Sequence, residues 1–162
     1  MEVFRIRNRS DVQRLERELL STYLAVRPTP VLREAITDLE ELHSNYFDSR
    51  SGPGGRSWPD NAPSTVARKG HGDILEDTLK MRRAMTSSGA FGAMRDVFDE
   101  GHFAGLTFGI DDADIPYWKY HDVPGGSLSL PRRPFIGITT AEVDVIAERL
   151  LDNQIAGMVE NA

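Results

Sequence analysis

The chain has no cysteine. That removes thiolate nucleophiles, cysteine-ligated zinc, iron–sulfur clusters and disulfide scaffolds, and it suits a soluble protein kept in a reducing cytoplasm. Long apolar runs are missing too: no stretch approaches the 18 or so residues of a membrane span, and Met1–Arg7 has no signal-peptide core. Basic charge is in deficit, 19 Lys and Arg against 25 Asp and Glu for a net of -6, so a dedicated duplex binder with a dominant basic stripe is not expected. At 162 residues the chain fits one domain with extensions and a core of its own.

The charge is banded. It runs +2 over 1–27, -4 over 28–48, +3 over 49–83, -5 over 84–122, +2 over 123–134 and -4 over 135–162. Alternating bands suit a protein that meets other proteins, or copies of itself, through complementary surfaces.

Local patterns predict a short strand within 3–7 and an amphipathic helix at 11–25, with Ser10 and Gln13 in capping-box spacing. Thr29 as N-cap and Pro30 at the first helical position open a second helix to about residue 48, whose face is Leu32, Ala35, Ile36, Leu39, Leu42, His43 and Tyr46. The Gly/Pro-rich stretch 49–72 reads as a long loop with one short helical turn at 63–69 before Gly70. A third helix is expected from Ile74, capped by Asp73, to about Met85.

A hairpin follows, Met94–Asp99 and Phe103–Ile110, in which Gly105 and Gly109 leave a thin outer face that another backbone could approach. Tyr117–His121 is a short helix or an extended aromatic segment, and Phe135–Ile138 a short strand. A last helix, capped by Thr139 or Thr140, would bury Val143, Ile146, Ala147, Leu150 and Leu151 and fray after Ile155. The expected fold is α+β, three to four helices on a small antiparallel or mixed sheet of three to four strands. Residues 1–27 form an N-terminal extension, 28–155 the domain, and 156–162 a frayed end.

No reactive cluster stands out. Asp111-Asp112-Ala113-Asp114 would suit a hard cation, yet counting from Asp111 an EF-hand needs Gly and Glu where Pro116 and Asp122 stand. Glu100 and His102 could serve acid–base or metal chemistry, but polar residues are expected at a hairpin turn anyway. His43 sits among apolar neighbours as a packed residue would. His71 and His121 lie apart, and no i, i+4 pair suggests zinc. Ser87, Ser88 and Ser127 lack a nucleophile-elbow context, and Gly52–Ser57 lacks the Gly-Lys-Ser/Thr ending of a phosphate loop. No metal or cofactor site is expected.

What does stand out is an ordered set: Trp58, Pro63, Thr65 and Lys69, the Ile74-Leu75 pair, Gly89, Tyr117 and His121, then Pro131-Arg132-Arg133-Pro134-Phe135-Ile136-Gly137. This set resembles the tailed-phage virion morphogenesis family, the tail completion proteins of Mu-like and P2-like phages, whose most recognisable stretch is Pro-x-Arg-Pro-Phe-Leu-Gly. The likeness spans about 32–151. It departs at Asn61, at Ser88-Gly89-Ala90 where that family has Leu-Gly, and at Asp122-Val123 where it has a Gln-Phe-like pair.

The resemblance implies an assembly component rather than an enzyme. It would be a tail terminator or tail completion ring, a hexamer by the symmetry of tails, that contacts the tail tube and head-side connector in the virion neck. DNA would pass through its lumen without specific binding, and assembly would take place in the host cytoplasm. It places Trp58, Lys69, Tyr117, His121, Arg132, Arg133, Pro134 and Phe135 at subunit or partner contacts. Pro131 and Pro134 would hold the two arginines extended toward a neighbour's carboxylates, or simply turn the chain into the Phe135 strand. The rival readings are a metal-dependent hydrolase or nuclease using Glu100, His102 and Asp111–Asp114, and a cytoplasmic adaptor unrelated to phage.

Overall fold

A computed structural model describes residues 28–101, 103–122 and 130–160, with side chains to residue 157. The strand expected at 3–7, the helix at 11–25, His102 and Ser127 lie outside the described residues. The mix is α+β, with five α-helices and two antiparallel strand pairs among the described residues.

Helix α1, Pro28–Ser49, already includes Pro28 and Thr29, so Thr29 is not its N-cap; prolines in a first turn need no N–H partner. The Thr29 hydroxyl instead donates to Asp99 Oδ2 at 3.1 Å. The expected apolar face of α1 turns inward, with Ala35, His43, Tyr46 and Phe47 buried.

The glycine-rich stretch beyond it is not irregular throughout. Ser51–Gly52 (β1) and Arg56–Ser57 (β2) pair across a tight turn in which Gly54 and Gly55 take positive φ. Helix α2, Pro63–Lys69, matches the expected short helix, with Pro63 at its start and Gly70 closing it in the left-handed region (φ 79°). Helix α3 covers only Lys80–Thr86, shorter than expected. Leu75 and Leu79 have φ of 61° and 58°, which no α-helix can pass through, so 74–79 turns instead and buries Ile74 and Leu75.

Strands β3 (Ala93–Asp99) and β4 (Ala104–Ile110) form the second pair, in register from Ala93 opposite Ile110 to Asp99 opposite Ala104. The thin outer face of β4 is closed by its own chain. The Phe98 ring lies where a Cβ on Gly105 would stand, 2.3 Å from it, and Met94 covers Gly109. Arg95 ties the hairpin to the helices: it donates to Glu40, to the Ala84 carbonyl and to the Gly109 carbonyl, with its guanidinium 3.7 Å from the centre of the Phe108 ring.

Helix α4 is Lys119–Asp122 and helix α5 is Thr140–Glu160. The expected Phe135–Ile138 strand is absent: Asp122 Oδ1 accepts the N–H groups of Phe135 and Ile136 at 3.0 and 3.2 Å, so a side chain takes donors that a sheet would need. The single sheet of three to four strands is therefore replaced, among the described residues, by two separate pairs.

Thr139 and Glu142 form the capping box of α5, with the Thr139 N–H and hydroxyl both given to Glu142 Oε2. The helix continues to Glu160, past Ile155, the expected point of fraying. It runs antiparallel to α1, since Arg149 pairs with Asp38 and Asn153 with Glu34. That pairing buries Leu150 but leaves Val143, Ala147 and Leu151, all expected inside, exposed. Among the described residues no helix is long and apolar enough to cross a membrane.

The core gathers Tyr46, Phe47, Trp58, Met81, Met85, Ile110, Ile115 and Phe135 around α1. His43 belongs to it as a packed residue, 2% exposed, with Nδ1 2.6 Å from the Leu39 carbonyl and its ring between Tyr46 and Phe108. Burial lowers its pKa below 6.5, and the same cause lowers that of His121. Above the unfolded value the two add no pH dependence. Below it the unfolded chain binds protons that the folded chain refuses, so stability falls by at most about 1.4 kcal/mol per pH unit for each histidine. Urea midpoints are expected to be level above about pH 7 and to drop from there toward pH 5.5, with roughly half of the drop removed in His43→Phe. An unchanged slope in that variant would assign the dependence elsewhere.

Candidate functional site

The residues that carry the family resemblance lie up to 79 positions apart, from Trp58 to Gly137, and the fold brings most of them together. The strand β2 exit, Trp58–Asn61, lies against Pro131–Ile136. Trp58 Nε1–H donates to the Pro134 carbonyl at 2.8 Å. Arg133 donates through Nε to the Pro59 carbonyl at 2.8 Å and through Nη2 to the Asp60 carbonyl at 2.7 Å. Its own N–H goes to the His121 carbonyl at 2.7 Å, joining α4 to the same run. Phe135 is fully buried, its ring 5.8 Å from Phe47, which in turn meets Trp58 at 5.5 Å.

Beside this seam is a cavity of about 380 Å³ bounded by α2, α4 and the proline run. Its lining includes Asn61, Thr65, Lys69, Tyr117, His121 and Arg133. Lys69 Nζ donates to the Asp73 carbonyl at 2.6 Å, and Asn61 Nδ2 donates to the Gly72 and Asp73 carbonyls at 3.1 and 3.0 Å. Those bonds pin the 70–73 turn to the cavity rim. At the rim Arg68 is neutralised by Asp77 at 3.1 Å. Burial, then Arg133, then Lys69 hold the His121 pKa below 6.5, so its imidazole is neutral at pH 7. Burial also lowers the pKa of Arg133, which stays charged.

Four of the eight expected contact residues, Lys69, Tyr117, His121 and Arg133, thus share one cavity. Trp58 and Phe135, 5% and 0% exposed, spend their side chains inside the chain, so they shape a surface rather than form it. Pro134 serves through its carbonyl. Arg132 stands apart and exposed, with Nε on the Asp122 carbonyl at 3.1 Å. Asn61 is a residue that sequence reasoning took for an interruption; its place just before Ala62-Pro63 was the available signal, since a polar side chain there can reach the turn that ends α2.

The described members of the hydrolase constellation, Glu100 and Asp111–Asp114, are not brought together. Glu100 and the Asp111–Asp114 turn sit at opposite ends of a seven-residue hairpin, which at about 3.3 Å per residue keeps them on the order of 20 Å apart. Asp111 Oδ1 accepts the Ala113 N–H, and Asp112 is held by Trp118 Nε1 and Lys119 Nζ at 2.9 and 2.7 Å. Among the described residues no three His, Asp or Glu side chains are grouped so as to hold a metal ion.

Compared with family models, with curated proteins and with solved structures, the chain matches none of them.

Proposed function

We propose that this chain is a structural assembly protein of the neck or tail end of a tailed phage or a phage-derived particle, closing into a ring that completes the tail and lets it join the head. The observation that carries the reading is the seam itself. The Trp58 loop and the Pro131–Gly137 run, the latter the most recognisable part of the resemblance, are hydrogen-bonded to each other through Trp58 and Arg133. Residues that carry the likeness and also hold one another in place form one unit of structure, which supports reading them together.

The outer face of α5 adds support. Val143, Ala147, Leu151 and Ile155 recur every four residues and are exposed, with Asp144, Glu148 and Asp152 beside them. An apolar stripe of this kind is the sort of surface a second copy covers. Repeating the contact head to tail would close a ring, with the acidic bands left to face DNA in the lumen without gripping it.

Size-exclusion chromatography with light scattering tests the reading. The expected mass is about six times the 18.1 kDa chain, falling toward the monomer in Leu151→Glu. A monomer at high concentration, together with normal particles from a phage lacking the gene, would overturn it.

A further inference from the structure

The cavity between α2, α4 and the proline run holds more positive charge than its surroundings answer. Arg133 is 5% exposed, yet its two side-chain bonds go to neutral carbonyls; the Asp60 carboxylate favours its charge from a distance, but among the described residues no carboxylate lies within ion-pair distance of it. Lys69 likewise gives its ammonium to a carbonyl and has no acidic partner there. A guanidinium has five N–H donors, and a buried cation is costly unless an anion faces it. Arg68, by contrast, is already paired with Asp77. The lining adds two hydroxyls, of Thr65 and Tyr117, for which the described residues provide no acceptor. His121 contributes an Nδ1 that is buried without a hydrogen-bond partner.

We infer that this cavity is a binding site for a single oxyanion, a carboxylate or a phosphate group, held by Lys69 and Arg133 with the Thr65 and Tyr117 hydroxyls as neutral donors. The two cations supply charge, and Arg133 has N–H groups beyond the two given to the Pro59 and Asp60 carbonyls with which to meet the oxygens of one group. Volume and setting limit the ligand. About 380 Å³ in a chain of net charge -6 admits an anionic group with a small body attached to it, and not the backbone of a duplex. Two sources share that chemistry: free phosphate in solution, and an acidic side chain offered by a neighbouring protein. The inference does not rest on the ring.

Calorimetric titration of the full chain with inorganic phosphate, and separately with acetate, at matched ionic strength tests it. Saturable phosphate binding with acetate inert assigns the site to a phosphate group. Saturable acetate binding that phosphate displaces assigns it to a protein carboxylate. In either case Lys69→Met is expected to weaken binding at least about tenfold, Tyr117→Phe to weaken it less, and Arg56→Ala, an exposed cation elsewhere, to leave it unchanged. Tyr117→Phe removes one hydroxyl from a partly exposed ring, so it reports on the site even if Lys69→Met fails to fold. Failure of both anions to saturate, or equal binding by the wild type and both cavity variants, overturns the inference. Light scattering on the same samples separates the two readings: a monomer that binds the anion removes the ring and keeps the site, and a ring that binds none does the reverse.

Discussion

Phe135→Ala is expected to lower the unfolding free energy by about 3–5 kcal/mol, the range for removing a large aromatic side chain from a closed core. Phe135 is completely buried, its ring packs against Phe47, and its N–H is fixed by Asp122, so the backbone has little freedom to collapse into the space. A domain of this size is stable by only about 5–15 kcal/mol, so the variant would sit close to its unfolding threshold. Urea unfolding followed by circular dichroism measures the loss. Val145→Ala, at a position 66% exposed and outside the α5 stripe, provides the contrast and is expected to change stability by no more than about 0.5 kcal/mol. A loss under about 1 kcal/mol at Phe135 with assembly abolished would return the residue to a subunit interface, as the resemblance alone implies.

The elements legible in the sequence are those set by nearby residues. Helix α2 follows from Pro63 at its start and Gly70 at its end, and the β3–β4 hairpin from alternation around Gly101. The inward face of α1 follows from spacing alone. Each element that escaped was decided by something distant. Ile74–Leu79 has helical spacing, yet Leu75 and Leu79 adopt left-handed backbone so that Ile74 and Leu75 reach the core. Phe135–Ile138 has strand composition, but Asp122 takes its first two N–H groups. Helix α5 carries two apolar stripes, and only its contacts with Asp38 and Glu34 decide that Leu150, not Leu151, is buried. For the cavity, spacing gave no reason to group Lys69 with Arg133. The family resemblance named both residues, but as surface contacts, and only the fold turns Arg133 inward against the Pro59 and Asp60 carbonyls.

The second large effect is expected at Gly52. Its φ of -112° is open to any residue, so the demand for glycine there is one of space. A Cβ would stand 2.1 Å from the Pro134 carbonyl oxygen and 3.2 Å from Trp58 Nε1, the two atoms joined by the hydrogen bond across the seam. Backbone must move to admit it. Gly52→Ala is therefore expected to cost about 2–5 kcal/mol, combining overpacking with a buried indole N–H that loses its acceptor. Gly89→Ala, with nothing within 4 Å, is expected to be neutral or slightly stabilising. The chain has two tryptophans, so in a Trp118→Phe background the emission of Trp58 alone reports the seam and should shift to the red in Gly52→Ala. An unmoved emission with an unchanged urea midpoint would show that the seam yields without strain. Because Arg133 and Phe135 flank Pro134, displacing that carbonyl also draws the guanidinium away from the Pro59 and Asp60 carbonyls. Anion affinity in the cavity should then fall together with stability, although the atoms nearest a Cβ on Gly52 belong to Pro134 and Trp58 and not to Lys69 or Arg133.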